Sequence, residues 1–179
     1  MPALKTIIEN LARAQREFLR AADTVPAEQW KSCPGQGRWS AGELVGHLIT
    51  VERTILSGAD QLLQQPAKPL PFFRRLHVPL ALVEARLIRR QSPLPQDPQL
   101  VREKEEMLAE LREVRERTLA FIEETRGQDL KNRHRRHPFL GTLNVYEWLQ
   151  FIASHQVRHG KQMKEIIAAL PKSVRSLQK

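Results

Sequence analysis

An all-α fold is what this sequence predicts, and three observations carry the prediction. Glycine is scarce, at 8 of 179 residues. No stretch shows sustained strand-like alternation bounded by hairpin turns. The long segments are rich in Leu, Ala, Glu, Gln, Lys and Arg, which lose little side-chain freedom in a helix. At this length a single domain spanning 1–179 is the simplest organisation, long enough to bury a core without disulfide or metal support.

The first helix runs from Leu4 to Ala22, where Leu4, Ile7, Ile8, Leu11, Phe18 and Leu19 follow three-and-four spacing. Pro26 and the stretch Ser32 to Arg38, with Pro34, Gly35 and Gly37, form a loop. In WSAGELVGHL, Ser40 as N-cap and Glu43 three residues on make a capping box, and Trp39 can staple onto Leu44. This second helix continues through Ile55 and Leu63 until Pro66 and carries His47 in its second turn. Residues 66–98 hold Pro66, Pro69, Pro71, Pro79, Pro93, Pro95 and Pro98 and read as a long crossover with a short helix near Leu80 to Arg90. Its apolar residues and Arg74, Arg75, Arg86, Arg89 and Arg90 also suit a membrane-surface or partner-binding segment, although covering a bundle end is the simpler role. From Gln99 to Thr125, Leu100, Met107, Leu111, Val114, Phe121 and Ile122 form a narrow apolar seam among dense charges, ending at Gly127. After a basic loop, Asn144 and Glu147 make a second capping box, and the last helix runs to Leu170 and Pro171 without an internal proline. Four long helices with one extended connection make a four-helix bundle.

The formal charge of +9 and pI near 10.3 make a polyanion partner worth testing. Basic residues cluster at Lys131, Arg133, Arg135 and Arg136 and at Lys161, Lys164, Lys172 and Arg175, but no aromatic residues interleave with them, which argues against nucleic acid. The one cysteine, Cys33, rules out an internal disulfide or a thiolate zinc cluster and fits a reducing compartment. Charges spread through residues 1–20 leave no apolar signal-peptide core, and no apolar run reaches the length of a membrane span. A cytoplasmic location is therefore expected.

On the last helix, His155 and His159 stand four apart, so their imidazoles point the same way, roughly 6 Å apart along the axis. They share the arc of Trp148, Ile152, Ile166 and Leu170, while Gln156, Arg158, Lys161 and Lys164 do not share its centre. Two buried imidazoles are unfavourable unless hydrogen bonds or a cation satisfy them. The i, i+4 pair can aim both nitrogens at one point, but two protein ligands make a weak site, so a third must come from another helix. His47, at the edge of its helix's apolar arc beside Val51, is the candidate. If the three share an ion with bonds of about 2.0–2.1 Å, their nitrogens must lie roughly 3 to 3.5 Å apart. His77 in the crossover, and His134 and His137 in the basic RHRRHP loop, read as surface or loop-packing residues. Glu52 is turned about 140° from His47, so a salt bridge or helix-surface carboxylate is its expected role. Nothing brings Cys33 near the histidines.

WSAGELVGHLITVE, followed far downstream by HPFLGTLNVYEWLQFIASHQVRHGKQM, resembles the DinB/YfiT superfamily of bacterial metalloproteins. The resemblance spans nearly the whole chain in helix order and is specific at both histidine-bearing helices; residues 66–98 match nothing diagnostic. It implies a four-helix bundle in up-down-down-up order with a histidine triad that falls on His47, His155 and His159. It also implies a divalent ion (nickel, zinc or iron) with positions left for water or substrate, a small-molecule substrate and a homodimer. Some members of the family transfer or isomerise substrates with low-molecular-weight thiols such as bacillithiol or mycothiol, and others are described as hydrolases. A divalent ion on three neutral imidazoles can acidify water or a thiol and polarise a substrate, so the ligand set alone does not separate hydrolase from thiol transferase. A non-catalytic bundle with a structural or vestigial metal, and a basic binding module, are the alternatives from other classes.

Overall fold

A computed structural model describes residues 4–71, 77–84 and 100–171. Four long helices account for most of them: α1 (Leu4–Asp23), α2 (Ala41–Leu63), α4 (Lys104–Glu124) and α5 (Val145–Ala169), with a one-turn α3 (Ala81–Glu84) in the crossover. Both expected capping boxes form. Ser40 Oγ accepts from Glu43 N while Glu43 accepts from Ser40 N, and Asn144 and Glu147 repeat the exchange at the start of α5. Gly127, just past α4, has φ +86°, the left-handed conformation that favours glycine at a helix end.

α1 packs on α5, α2 on α4, and α2 also meets α5. The chain order is up-down-down-up. The two middle helices therefore run parallel, so α4 begins at the same end of the bundle as α2, which no short loop after Leu63 could achieve. The apolar interior falls into two clusters. One contains Trp30, Leu44, Leu48, Leu111, Met163 and Ile166. The other contains Ile7, Leu11, Ile55, Ile122, Leu149 and Ile152.

Between those clusters lies a buried polar layer drawn from three helices: Glu52 of α2, Arg115 and Thr118 of α4, and Gln156 of α5. Arg115 donates from Nε to Glu52 Oε1 (2.8 Å) and from Nη2 to Glu52 Oε2 (2.9 Å) and Gln156 Oε1 (2.9 Å). Its Nη1 reaches the carbonyl of Leu11 on α1 at 2.6 Å, and Thr118 Oγ1 donates to Glu52 Oε1 at 2.6 Å. One guanidinium thus ties all four long helices together. Glu52 makes the salt bridge expected of it, but in the interior rather than on a helix surface. Gln156 lies outside the centre of the histidine arc and is nonetheless buried, because this layer takes it up.

Two expectations need correction. The basic loop contains an antiparallel hairpin, β1 (His134–His137) with β2 (Gly141–Asn144), so the fold carries a small sheet beside its helices. Its strands are four residues long, and along β1 only the two end residues are partly buried. Periodicity therefore had no alternation to detect. Second, α4 starts at Lys104 rather than Gln99, and Leu100 is 71% exposed instead of joining the seam. Val101 is held against the first cluster, where a Cβ on Gly42 would meet its Cγ1 at 2.3 Å, so the approach to α4 follows packing rather than helical spacing. The crossover helix is described over Ala81–Glu84, and the remainder of the expected span to Arg90 lies outside the described residues, as do Arg74, Arg75, Arg86 and Arg89. Arg158 Nη1 and Lys161 Nζ of α5 donate to the carbonyls of Val83 and Glu84, which caps this turn against the bundle. Among the described residues no helix is long and apolar enough to cross a membrane.

Candidate metal centre

α2 and α5 each bring their histidines to the same place. His47 Nε2 lies 3.3 Å from His155 Nε2, and His159 Nε2 lies 3.1 Å from His155 Nε2. The three ligand-capable nitrogens all fall within 4.8 Å of one another, although 108 residues separate His47 from His155. His47 is not at the margin of its helix's apolar face: it is 3% exposed, His159 is 7% exposed and His155 is half-buried. Trp39, expected to pack on Leu44, also sets its ring 5.0 Å from that of His47 and 6.3 Å from that of His159. Phe151 stacks on His155 at 5.2 Å. Aromatic walls thus hold the imidazoles in orientation.

The electrostatics favour neutral rings. Burial pushes the His47 pKa down to about 4, since charging an imidazole there means losing its hydration. His155 is held well below the ordinary histidine range, first by burial and then by His159, His47, Arg158 and His137. His159 Nδ1 lies 2.9 Å from Gln162 Oε1. An amide oxygen only accepts, so Nδ1 carries the proton and Nε2 presents a lone pair to the cluster. Three neutral nitrogens at these separations cannot all satisfy one another by hydrogen bonding, because each contact needs one donor. A divalent cation would accept all three lone pairs, and the separations match those of nitrogens sharing a coordination sphere with bonds of about 2.0–2.1 Å. The donor set therefore fits a divalent transition metal.

The other nominated residues lie elsewhere. His137 packs on Phe151 (4.8 Å) and Trp148 (5.1 Å), its Nδ1 accepts from Phe139 N and Leu140 N, and burial lowers its pKa to about 4. His134 sits opposite Asn144 in the hairpin. His77 places Nε2 3.1 Å from Glu147 Oε1 and Nδ1 3.0 Å from the Val78 carbonyl, tying the crossover to the start of α5. These are packing and linking roles, as their settings suggested. Cys33 is exposed, and its Sγ lies 3.6 Å from Glu43 Oε2. Partial burial of the sulfur and then the Glu43 carboxylate raise its pKa, the reverse of an activated thiol. Gln162, Trp39 and Phe151 are the members of the site that sequence reasoning did not assign to it. Gln162, three residues after His159, could have been found from that spacing.

Residues 10–163 match the DinB superfamily. The chain is 31% identical over 140 residues to the uncharacterized protein YuaE of Bacillus subtilis (strain 168), covering 78% of this chain and 83% of that one. Its fold is similar to that of YfiT from Bacillus subtilis, described as a probable metal-dependent hydrolase with an unusual four-helix bundle topology. That likeness has a TM-score of 0.63 at 16% identity over 92% of this chain and 86% of the other. On the extent of the match, this four-helix bundle with its three clustered histidines belongs to the DinB superfamily.

Proposed function

We propose that His47, His155 and His159 hold one divalent cation, and that the protein uses it on a small-molecule substrate, by hydrolysis or by transfer to a low-molecular-weight thiol. The observation that carries this reading is the convergence of three Nε2 atoms, with contacts of 3.3 and 3.1 Å, from two separate helices. Such a cation supplies Lewis acidity, lowering the pKa of water or a thiol and polarising a substrate oxygen. The chain's own residues do the rest. The depressed pKa of His47 and His155 keeps these ligands unprotonated at neutral pH. Gln162 fixes the His159 tautomer, and Trp39 and Phe151 restrict ring rotation and exclude water from one side of the site.

Neither Glu52, engaged by Arg115 and Thr118, nor exposed Cys33 supplies a base or nucleophile at the cluster. On this reading the nucleophile is water or a free thiol. Hydrolysis is the first reading, by analogy with the YfiT description. The deciding experiment assays metal-loaded protein on ester, amide and electrophilic substrates with and without added thiol. Turnover without thiol supports hydrolysis, and turnover that requires thiol supports transfer. Stoichiometric metal binding without turnover of either kind would make the ion structural.

A further inference from the structure

β1 carries Arg135 across the C-terminal half of α2, where its guanidinium covers Gly58. A Cβ built on Gly58 would stand 1.9 Å from Arg135 Nη1, so the cation occupies the space a side chain would take. Glycine inside a helix is less favourable than alanine by about 1 kcal/mol. At this position it lets a charged group lie directly on the helix. Among the described residues no carboxylate pairs with Arg135, and the exposed Ser57 hydroxyl and Gln61 amide have no hydrogen-bond partner. Its neighbour Arg133 is different: its Nη1 donates to the carbonyls of Leu62 and Gln65 and so caps α2.

Arg135, Ser57 and Gln61, with Arg53, Thr54 and Gly58, line an open concavity of about 390 Å³ in which no acidic residue takes part. Arg53 is already paired with Glu110, so the uncompensated charge of the cleft is that of Arg135. We infer that this cleft between α2 and β1 binds the phosphoryl group of a small soluble molecule. A phosphoryl group presents three terminal oxygens, one more than a carboxylate, to share among the guanidinium fork, the Ser57 hydroxyl and the Gln61 amide. No aromatic side chain lines the cleft to stack a base, which sets it apart from a nucleic-acid track. Gly58 follows His47 by three helical turns, roughly 16 Å along α2, so an anion here and a cation at the imidazoles are not in one coordination sphere. The inference therefore does not depend on the metal reading.

The test titrates metal-free protein with inorganic phosphate and with glycerol phosphate, against chloride at matched ionic strength, following backbone amide resonances and melting temperature. Saturable shifts centred on Ser57, Gly58, Gln61 and Arg135, with a rise in Tm that chloride does not reproduce, are expected. Arg135→Met should weaken phosphate binding tenfold or more, and Arg38→Met, in the loop before α2 and so at the opposite end of that helix from Gly58, should not. Gly58→Ala separates site from fold: it displaces the guanidinium and weakens binding, while Tm without phosphate holds or rises. Wild-type affinity in Arg135→Met, or shifts spread over the basic surface, would overturn the site. Binding to phosphatidic-acid vesicles that needs Arg135, with no response to glycerol phosphate, would overturn the soluble ligand.

Discussion

Arg115→Met tests whether the buried polar layer holds the bundle together. In the folded protein Arg115 is 1% exposed and Glu52 3% exposed, and the guanidinium supplies two of the three hydrogen bonds to that carboxylate. The substitution leaves Glu52 charged in the interior with only Thr118 beside it, and strips donors from the Leu11 carbonyl and from Gln156 Oε1. Breaking a buried pair from one side costs about 3–5 kcal/mol, against a total stability of about 5–15 kcal/mol for a typical domain. Replacing both partners, as in Glu52→Met with Arg115→Met, removes the stranded charge. It should recover most of the loss, because the desolvation of both ions is recovered as well, while the Leu11 carbonyl and Gln156 Oε1 stay without their donor. Urea denaturation of the metal-free protein and its two single and one double variants gives the coupling directly. A loss under about 1 kcal/mol for Arg115→Met, or a double variant whose loss equals the sum of the singles, would refute the reasoning.

Three further perturbations follow from the same structure. His47 stays neutral in the folded protein until about pH 4, whereas in the unfolded chain it binds a proton below about 6.5. Its contribution is therefore intact above about pH 6.5 and is lost as pH falls toward 4, a total of about 3 kcal/mol. Urea midpoints at pH 7.5 and 5 should differ more for the wild type than for His47→Gln, and equal differences would contradict this. Asn144→Ala removes the side-chain acceptor for Glu147 N and should cost about 1 kcal/mol in thermal unfolding. Gly127→Ala meets no atom within 4 Å of its new Cβ, so the roughly 1–2 kcal/mol it should cost is that of φ +86° alone, read from the same unfolding curves.

Local signals made most of the bundle readable. Ser40 with Glu43, and Asn144 with Glu147, mark helix starts because the reciprocal bonds they make need no tertiary partner. The i, i+4 spacing of His155 and His159 on an apolar arc likewise indicates a shared direction before any fold is known. His47 was harder, since its burial depends on how α2 meets α5 and not on its own helix. Arg115 is one of many charged residues on a charged helix, and only Glu52, 63 residues away, explains why it is inside. The hairpin is too short to show a period, and it is fixed by contacts that lie far apart in sequence. One is the pairing of Val78 N with the Leu140 carbonyl. Another is the hold of Arg133 on the end of α2.

The account stands most directly on the coordination of a single ion by three imidazoles. Protein purified without an affinity tag, stripped and titrated with zinc and nickel by calorimetry, then examined by X-ray absorption, reports stoichiometry and donor set together. The prediction is one ion per chain with three imidazole nitrogens at about 2.0–2.1 Å, tight binding lost in each of His47→Ala, His155→Ala and His159→Ala while the helical signal is retained, and affinity falling as the pH approaches about 4, where His47 takes up a proton. Binding that survives His47→Ala, or an affinity that stays unchanged as the pH falls through about 4, would contradict it.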